Sequence, residues 1–261
     1  MTSLNNSLFA VLCAVLFSSS MCEIVSAETF YFMTVYGSQC EPPRGDRVHS
    51  FATFVKATGC GNDWSQYQLE VHTISWLPVT KEIKIWRLVP EEGDNFGLHE
   101  TIRWALKGGA NVQKWGPYQV SCETFQRAVH RIGLLDADLI AYQAVDPVLR
   151  TEISNCIHAV SGVDPYDPRT RYPLIRVGYS ASEHIAEVFL ENDLILDAEV
   201  RHLWLDKRLG LCRYPIETSS LKAPLFSAGV GVTPRRENRS ELDHVRVRSC
   251  PDFIVPPGCR R

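Results

Sequence analysis

The residues best suited to chemistry are one cysteine and two distant histidines. Cys156 stands in the segment Ser154-Asn155-Cys156-Ile157-His158, and His49 and His72 lie far upstream in apolar, strand-like runs. The thiolate is the nucleophilic form of cysteine, but an unperturbed thiol has a pKa of about 8.5 and is mostly neutral near pH 7. A helix N-terminus and a nearby imidazolium both lower that pKa. The three residues therefore predict a catalytic thiol, with Cys156 at the start of a helix.

A hairpin would bring the two histidines together. Residues 48–57 and 69–77 are rich in β-branched and aromatic residues, and a glycine-containing loop around Cys60 joins them. If that loop is the centre of the hairpin, paired positions sum to about 121, and His49 lies opposite His72 or one diagonal step away. Opposed residues share a face of the sheet, with Cβ atoms about 5 Å apart. A slip of one residue would separate the histidines onto opposite faces.

The residues around the cysteine have their own predicted roles. Asn155 can cap the helix or donate a hydrogen bond to an oxyanion. His158 lies two residues after Cys156, so on a helix it points away from the thiol, and we interpret it as structural.

Three segments together resemble a known family. Two form the hairpin, His49-Ser50-Phe51-Ala52-Thr53-Phe54-Val55 and Glu70-Val71-His72-Thr73-Ile74, and the third is the later Asn155-Cys156-Ile157-His158. They look like the circularly permuted papain-like hydrolases of the lecithin:retinol acyltransferase type. In that family one histidine opens a strand, a second lies on the next strand, and an Asn-Cys-Glu-His-Phe segment opens a helix. The chain departs from this pattern at Ile157, where the family has an acidic residue, and at Ala159, where it has an aromatic one.

The resemblance implies a fold and a reaction. The fold would be permuted papain-like, with Cys156 as nucleophile, His49 as general base and His72 as the residue that orients it. The reaction would be acyl transfer or hydrolysis of an amide or ester bond, on a peptide, amide or lipid-like substrate, without a cofactor.

The first 27 residues are typical of a secretory signal peptide. An apolar run covers residues 8–17, and Val25-Ser26-Ala27 is a small-residue cleavage site, although no Lys or Arg precedes the run. The run is shorter than the about 20 residues that span a bilayer. We therefore expect cleavage after Ala27, a secreted or periplasmic protein, and no membrane span in what remains. Lipidation at Cys22 has weaker support, because Ser19-Ser20-Met21 is a poor lipidation signal.

Length and charge limit the classes of protein. The 261 residues carry 27 basic and 30 acidic side chains, a net charge of −3, which argues against a nucleic-acid partner. Residues 28–232 suit a single α+β domain, and residues 233–261 form a polar, Pro-, Arg- and Cys-containing extension. Seven of the nine cysteines follow the signal peptide, so at least one is unpaired if the others form disulfides. Cys156 is the candidate free thiol, and Cys40–Cys60 and Cys250–Cys259 are guessed pairs.

The expected fold is α+β, an antiparallel sheet of hairpin or meander type packed against helices. Strands are predicted over 29–36, 48–57, 69–77 and 82–89. Helices are predicted over 94–107, over 121–135 with Ser121 as its cap, from Cys156, and over 182–190 with Ser182 as its cap. Residues Trp115-Gly116-Pro117-Tyr118 are predicted to form a turn.

Two other classes of function stay open. His49, His72 and Cys156 are all competent zinc ligands, with His158 as a fourth if its segment is not helical, although no short metal-binding spacing is present. The other class is a non-catalytic exported protein that binds a partner or serves the cell envelope, with Cys156 inert or in a disulfide.

Overall fold

The computed structural model describes residues 27–166 and 169–221. The predicted signal peptide, apart from Ala27, and the predicted extension over 233–261 lie outside the described residues, as does the guessed Cys250–Cys259 pair.

A six-stranded sheet forms the centre of the structure. Its strands lie in the order β10-β6-β1-β2-β3, and β9 also pairs with β6. All pairs in this sheet are antiparallel except β10 with β6. The strands are β1 (Glu28–Gln39), β2 (His49–Gly59), β3 (Gln68–Ile74), β6 (Asn111–Val120), β9 (Ile195–Asp197) and β10 (Ile216–Ser219).

Two smaller pairings flank the sheet. β4 (Trp76–Pro78) pairs with β5 (Gly93–Asn95) in antiparallel fashion, and β7 (Ala141–Tyr142) pairs with β8 (Ile153–Ser154) in parallel. The helices are α1 (Leu98–Lys107), α2 (Cys122–Asp136), α3 (Cys156–Ser161), α4 (Tyr179–Glu191) and α5 (Trp204–Arg208). Single 3-10 turns lie at 45–47, 64–66, 169–171 and 211–213.

Helices cover both faces of the sheet. On the first face, Met33 and Phe54 belong to a core that includes buried residues of α2, α3 and α4. On the second face, Phe32 and Phe51 pack with residues of α1 and α5. Because successive side chains of a strand point to opposite faces, β1 and β2 are buried almost throughout. The site residues on β2 are therefore divided between two separate cores.

The α+β class and several predicted elements are confirmed. The strands predicted over 29–36, 48–57 and 69–77 correspond to β1, β2 and β3, which form an antiparallel meander. Ser121 caps α2 by accepting a hydrogen bond from the backbone N–H of Thr124 at 3.1 Å. No helix among the described residues has the length and apolar character needed to cross a bilayer.

Three local predictions are wrong. Residues 82–89 form no strand, because Trp86 and Leu88 point into solvent with 90% and 87% of their surface exposed. Trp115 to Tyr118 lie inside β6, where a shift in the register between β1 and β6 accommodates the Gly-Pro step. Ser182 does not cap a helix; it is fully buried in α4, which begins at Tyr179.

We predict that α5 is held to the second face mainly by one leucine. Leu205 is fully buried between the helix and the sheet, so Leu205→Ala should lower the free energy of unfolding by about 2–5 kcal/mol. The matched control is Leu149→Ala, since Leu149 is 94% exposed and its truncation should change stability by less than about 0.5 kcal/mol. Chemical denaturation measures both, and equal effects would contradict this account of α5.

Candidate active site

A small apolar cavity lies where α3 meets the start of β2. Its volume is about 90 Å³, and both Cys156 and His49 line it together with Asn155. The rest of the wall is mainly apolar and comes from loops on either side of the sheet edge: Val48, Ile83, Ile85, Tyr142, Leu174 and Val177. The structure thus brings two of the three predicted catalytic residues to one cavity.

Local sequence places Cys156 at the first position of α3, as predicted. Asn155 is the N-cap, and its side-chain oxygen accepts a hydrogen bond from the backbone N–H of His158 at 2.9 Å. The backbone N–H groups of Ser50 and Ile157 lie near the Cys156 sulfur and favour its charged form. Ser50 is fixed in turn, because its hydroxyl bonds that of Ser182 in α4 at 2.9 Å.

The close approach of α4 to β1 has a steric requirement. Ser182 also donates a hydrogen bond to the backbone oxygen of Tyr36 at 2.8 Å, which ties the helix to the strand. A Cβ on Gly37 would lie 2.9 Å from the Ser182 hydroxyl and 3.1 Å from the backbone oxygen of Gly178. Glycine at position 37 therefore allows the contact that fixes Ser50 beneath the thiol.

Burial decides the ionisation of Cys156. It raises the pKa of the thiol to about 11, although the backbone N–H groups of Ser50 and Ile157 act in the opposite direction. The sequence-based expectation of a lowered pKa is therefore wrong for the substrate-free protein. With only six residues in α3, the helix dipole is too weak to offset the loss of solvation. The resting thiol is neutral.

His49 is also neutral at rest. Its side chain is fully buried on the second face, stacked on Phe51 and edge-on to Trp104, and burial lowers its pKa to about 3. Its Nε2 atom forms a hydrogen bond of 2.9 Å with the hydroxyl of Ser75, which also bonds Thr101. The other ring nitrogen, Nδ1, is buried with no hydrogen-bond partner. Among the described hydrogen bonds, none joins His49 to Cys156.

His72 is not part of this site. β2 and β3 pair with Phe54 opposite His72, so paired positions sum to 126 and not to about 121 as predicted. The observed and predicted sums differ by five, an odd number of positions, so His72 lies on the opposite face of the sheet from His49. Its imidazole bonds Glu70 at 2.8 Å and packs against Phe125 of α2. Phe54, the partner of His72, lies five residues from His49, about 17 Å along the strand, so His72 cannot orient His49.

Asn155 caps the helix but has no group left for an oxyanion. Its side-chain nitrogen donates hydrogen bonds to Asp146 at 2.7 Å and to the backbone oxygen of Ala144 at 3.5 Å. Its oxygen is occupied by the backbone of His158. The predicted capping role is confirmed, and the oxyanion role is wrong because both ends of the amide are engaged.

Asp146 gathers the residues behind the cysteine into one buried network. Besides Asn155, its carboxylate accepts hydrogen bonds from His158 Nδ1 at 2.8 Å and from Arg169 at 3.0 Å. His158 Nε2 meets the backbone oxygen of Tyr172 at 3.0 Å. Both ring nitrogens of His158 are thus engaged by buried oxygens, which fixes the orientation of the ring. The structural role predicted for His158 is confirmed.

The structure also tests the predicted cysteine pairs and the predicted zinc site. Cys40, Cys156 and Cys212 are free thiols, so the guess of a Cys40–Cys60 pair is wrong; the Cys40 thiol donates to the backbone oxygen of Pro42 at 3.3 Å. Cys60 and Cys122 are not among the free thiols.

Within residues 27–166 and 169–221, no three His, Cys, Asp or Glu side chains are grouped as metal ligands. His49 and His72 lie on opposite faces, which prevents the predicted zinc set from forming.

Comparison of the chain with protein-family models, with curated proteins and with solved structures finds no match.

Sequence reasoning missed the residues that hold His49 and Cys156 in place. Ser75 follows β3 and Asp146 lies in a loop, and neither position carries a motif. Asp146-Pro147 is a turn signal in the sequence, which gives no sign that the carboxylate turns inward. Their roles depend on tertiary contacts over 26 positions for Ser75 with His49 and 12 for Asp146 with His158.

We predict that the Cys156 thiol stays protonated well above neutral pH. Burial should keep its thiolate absent below about pH 10, with a midpoint near the pKa of about 11. The measurement is ultraviolet absorbance of the thiolate against pH, as the difference between the wild type and Cys156→Ala. A difference spectrum for Cys212→Ala, at an exposed thiol, is the control. A midpoint at or below about 8.5 would contradict the account.

We also predict that the Asp146 carboxylate is essential for the fold around Cys156. Asp146→Asn leaves Arg169 without its buried counter-charge and His158 without its carboxylate partner, which should cost about 3–5 kcal/mol of unfolding free energy. Glu152→Gln makes the same chemical change in an exposed pair with Arg150 and should leave stability unchanged within error. Equal midpoints in urea for the two variants would refute the role given to Asp146.

Proposed function

We propose that the protein is an exported thiol hydrolase or acyltransferase that acts on an amide or ester bond. In this proposal Cys156 is the nucleophile, His49 is the general base, and Ser75 replaces His72 as the residue that orients the base. The permuted papain-like arrangement belongs to the same proposal. One observation carries it: Cys156 and His49 line the same cavity, and His49 Nδ1 is buried without a partner.

The unpartnered nitrogen supports a role as base. A buried polar atom without a hydrogen bond costs about 1–3 kcal/mol, so such atoms are rare unless a ligand or reaction uses them. The hydrogen bond between Nε2 and the Ser75 hydroxyl fixes the other side of the ring, and in the proposed tautomer Nε2 is the donor, which leaves the lone pair on Nδ1. With a pKa of about 3, His49 keeps an available lone pair at any pH above about 4.

The proposed reaction starts from two neutral groups. As the sulfur attacks the acyl carbon and the S–C bond forms, the thiol proton passes to His49 Nδ1, which must close on the sulfur when substrate enters. The backbone N–H groups of Ser50 and Ile157 favour the negative charge that the sulfur carries as its proton leaves. His49 then returns the proton to the leaving alcohol or amine as the bond between the acyl carbon and that leaving group breaks.

The second half of the reaction regenerates the thiol. Water or an acceptor alcohol attacks the thioester, His49 removes its proton, and the departing sulfur recovers that proton. A hydrolase uses water at this step, and an acyltransferase uses the alcohol. The cavity wall is apolar, so we propose a short aliphatic acyl group as the part of the substrate that occupies it.

We predict that an acyl donor will label Cys156 and that labelling will depend on His49. The protein would be incubated with p-nitrophenyl esters of increasing acyl chain length, and thioesters mapped by mass spectrometry. Acylation of Cys156 should slow about 10²–10⁴-fold in His49→Gln, because the general base is lost. His72→Gln is the matched control, since it makes the same change on the opposite face and should leave the rate unchanged.

The pH dependence of labelling provides a second criterion that does not depend on comparing folded amounts. With His49 as a neutral base of pKa about 3, wild-type acylation should be flat between pH 5 and pH 8. In His49→Gln only the thiolate reacts, and its fraction rises tenfold per pH unit toward the pKa of about 11. A wild-type rate that also rises tenfold per unit would remove His49 from the mechanism.

A non-catalytic exported binding protein is the second candidate. The observation that favours it is the ionisation of the site, since neither Cys156 nor His49 carries charge near neutral pH. Under this function Cys156 would remain unlabelled by every ester, while exposed Cys212 reacts at the rate of a free thiol. That outcome would overturn the enzymatic proposal.

A further inference from the structure

A second and larger depression lies at the β3 edge of the sheet, away from Cys156. This groove has a volume of about 750 Å³, and β3 contributes Val71, His72 and Thr73 to it. One wall is the start of α1, from Gly97 to His99, and the other is the end of α5 with the turn that follows it. The volume is within the range of small-molecule sites.

The groove has an excess of positive charge. Lys207, Arg208 and Arg213 line it, and none of the described lining residues is acidic. Arg208 is engaged by the backbone oxygens of Trp64, Ser65 and Tyr67, which holds the end of α5 in place. Arg213 donates from Nε to the backbone oxygen of Gly210 at 2.8 Å. Lys207 and Arg213 are both exposed at the groove.

The pKa of a histidine in the groove wall is lowered by the same positive charges. His99 is half-buried, and its Nδ1 lies 3.3 Å from the hydroxyl of Tyr214. Burial lowers the pKa of His99, and the charges of Arg213 and Arg103 lower it further. The cations are thus close enough to act on this ring. The first turn of α1, whose N-cap Gly97 has no capping side chain, adds its dipole in the same sense, and its one acidic residue, Glu100, is paired with Lys81.

From the shape of the groove and its cations, we propose that it binds a small organic anion, with its phosphate or carboxylate group between Lys207, Arg213 and His99. A charged oxyanion would accept hydrogen bonds from all three side chains, and such bonds are stronger than those between neutral groups. The same groove offers an apolar surface to the rest of the molecule, from Val71, Phe96, Leu98 and Leu209. The ligand is therefore an anionic head on an apolar body, and its site is separate from the Cys156 cavity.

The test follows the ring of His99 directly. Imidazole resonances are recorded by NMR against pH, with His99 assigned from His99→Gln, in the presence of inorganic phosphate, phenyl phosphate or neutral benzyl alcohol at constant ionic strength. Both anions should raise the pKa of His99, because a negative charge stabilises the imidazolium. Phenyl phosphate should saturate at a lower concentration than inorganic phosphate, because its ring covers the apolar wall, and benzyl alcohol should leave the pKa unchanged.

Variants test which cations are used. Lys207→Ala and Arg213→Ala should each weaken binding of phenyl phosphate about tenfold or more, because each removes a charged hydrogen-bond donor. Lys107→Ala is the matched control: it removes an exposed lysine at the far end of α1, about 12 Å from His99 along the helix axis. Cys156→Ala should bind phenyl phosphate like the wild type, since the two sites are separate.

Two results would overturn the proposal. One is a His99 pKa that responds equally to phosphate and to chloride at the same ionic strength, which would show screening without a site. The other is the same affinity for phenyl phosphate in Lys207→Ala, Arg213→Ala and Lys107→Ala. The NMR titration of the wild type decides the question even if one variant fails to fold.

Discussion

The pairing of β2 with β3 decides which side of the sheet each functional side chain occupies. With Phe54 opposite His72, the odd-numbered residues of β2 from His49 onward face α1 and α5, and the even-numbered residues face α2, α3 and α4. His49 and Ser50 are neighbours in sequence, yet they belong to different cores. The cavity at Cys156 exists because β2 begins at this point, so that residues of both faces reach one space at the strand end.

Behind the cysteine, the buried Asp146 carboxylate stabilises the short helix α3, which has too few backbone hydrogen bonds to be stable alone. α3 has six residues, too few to be stable by itself. Asp146 ties the cap residue Asn155, His158 and Arg169 to the loop that forms one wall of the cavity. All three residues bond the same carboxylate, so the network depends on the carboxylate more than on any single donor. The position of the thiol thus rests on a charge that the thiol does not contact.

The sequence predicts the elements of this fold better than their registers. The first three strands, the cap of α2 at Ser121 and the start of α3 at Cys156 follow from local patterns, and all are found. The β2–β3 register could not be derived, because β2 is buried on both faces and has no alternation of polar and apolar residues to fix it. The loop between the strands contains a 3-10 turn at 64–66, which moves the centre of the hairpin beyond Cys60. Ser75 and Asp146 carry no local signal at all.

The two candidate sites differ in the force that sets their ionisation, and this difference has a chemical consequence. At Cys156 and His49 burial dominates, and it favours the neutral form of both groups. A reaction there must move the proton together with the formation of the S–C bond, since no ion pair is available beforehand. At His99, burial and the neighbouring arginines both lower the pKa of the imidazole, so the charges of the groove favour binding of an anion and not a proton transfer. The proposed functions differ accordingly: covalent chemistry in an apolar space at the first site, and recognition of a negative charge at the second.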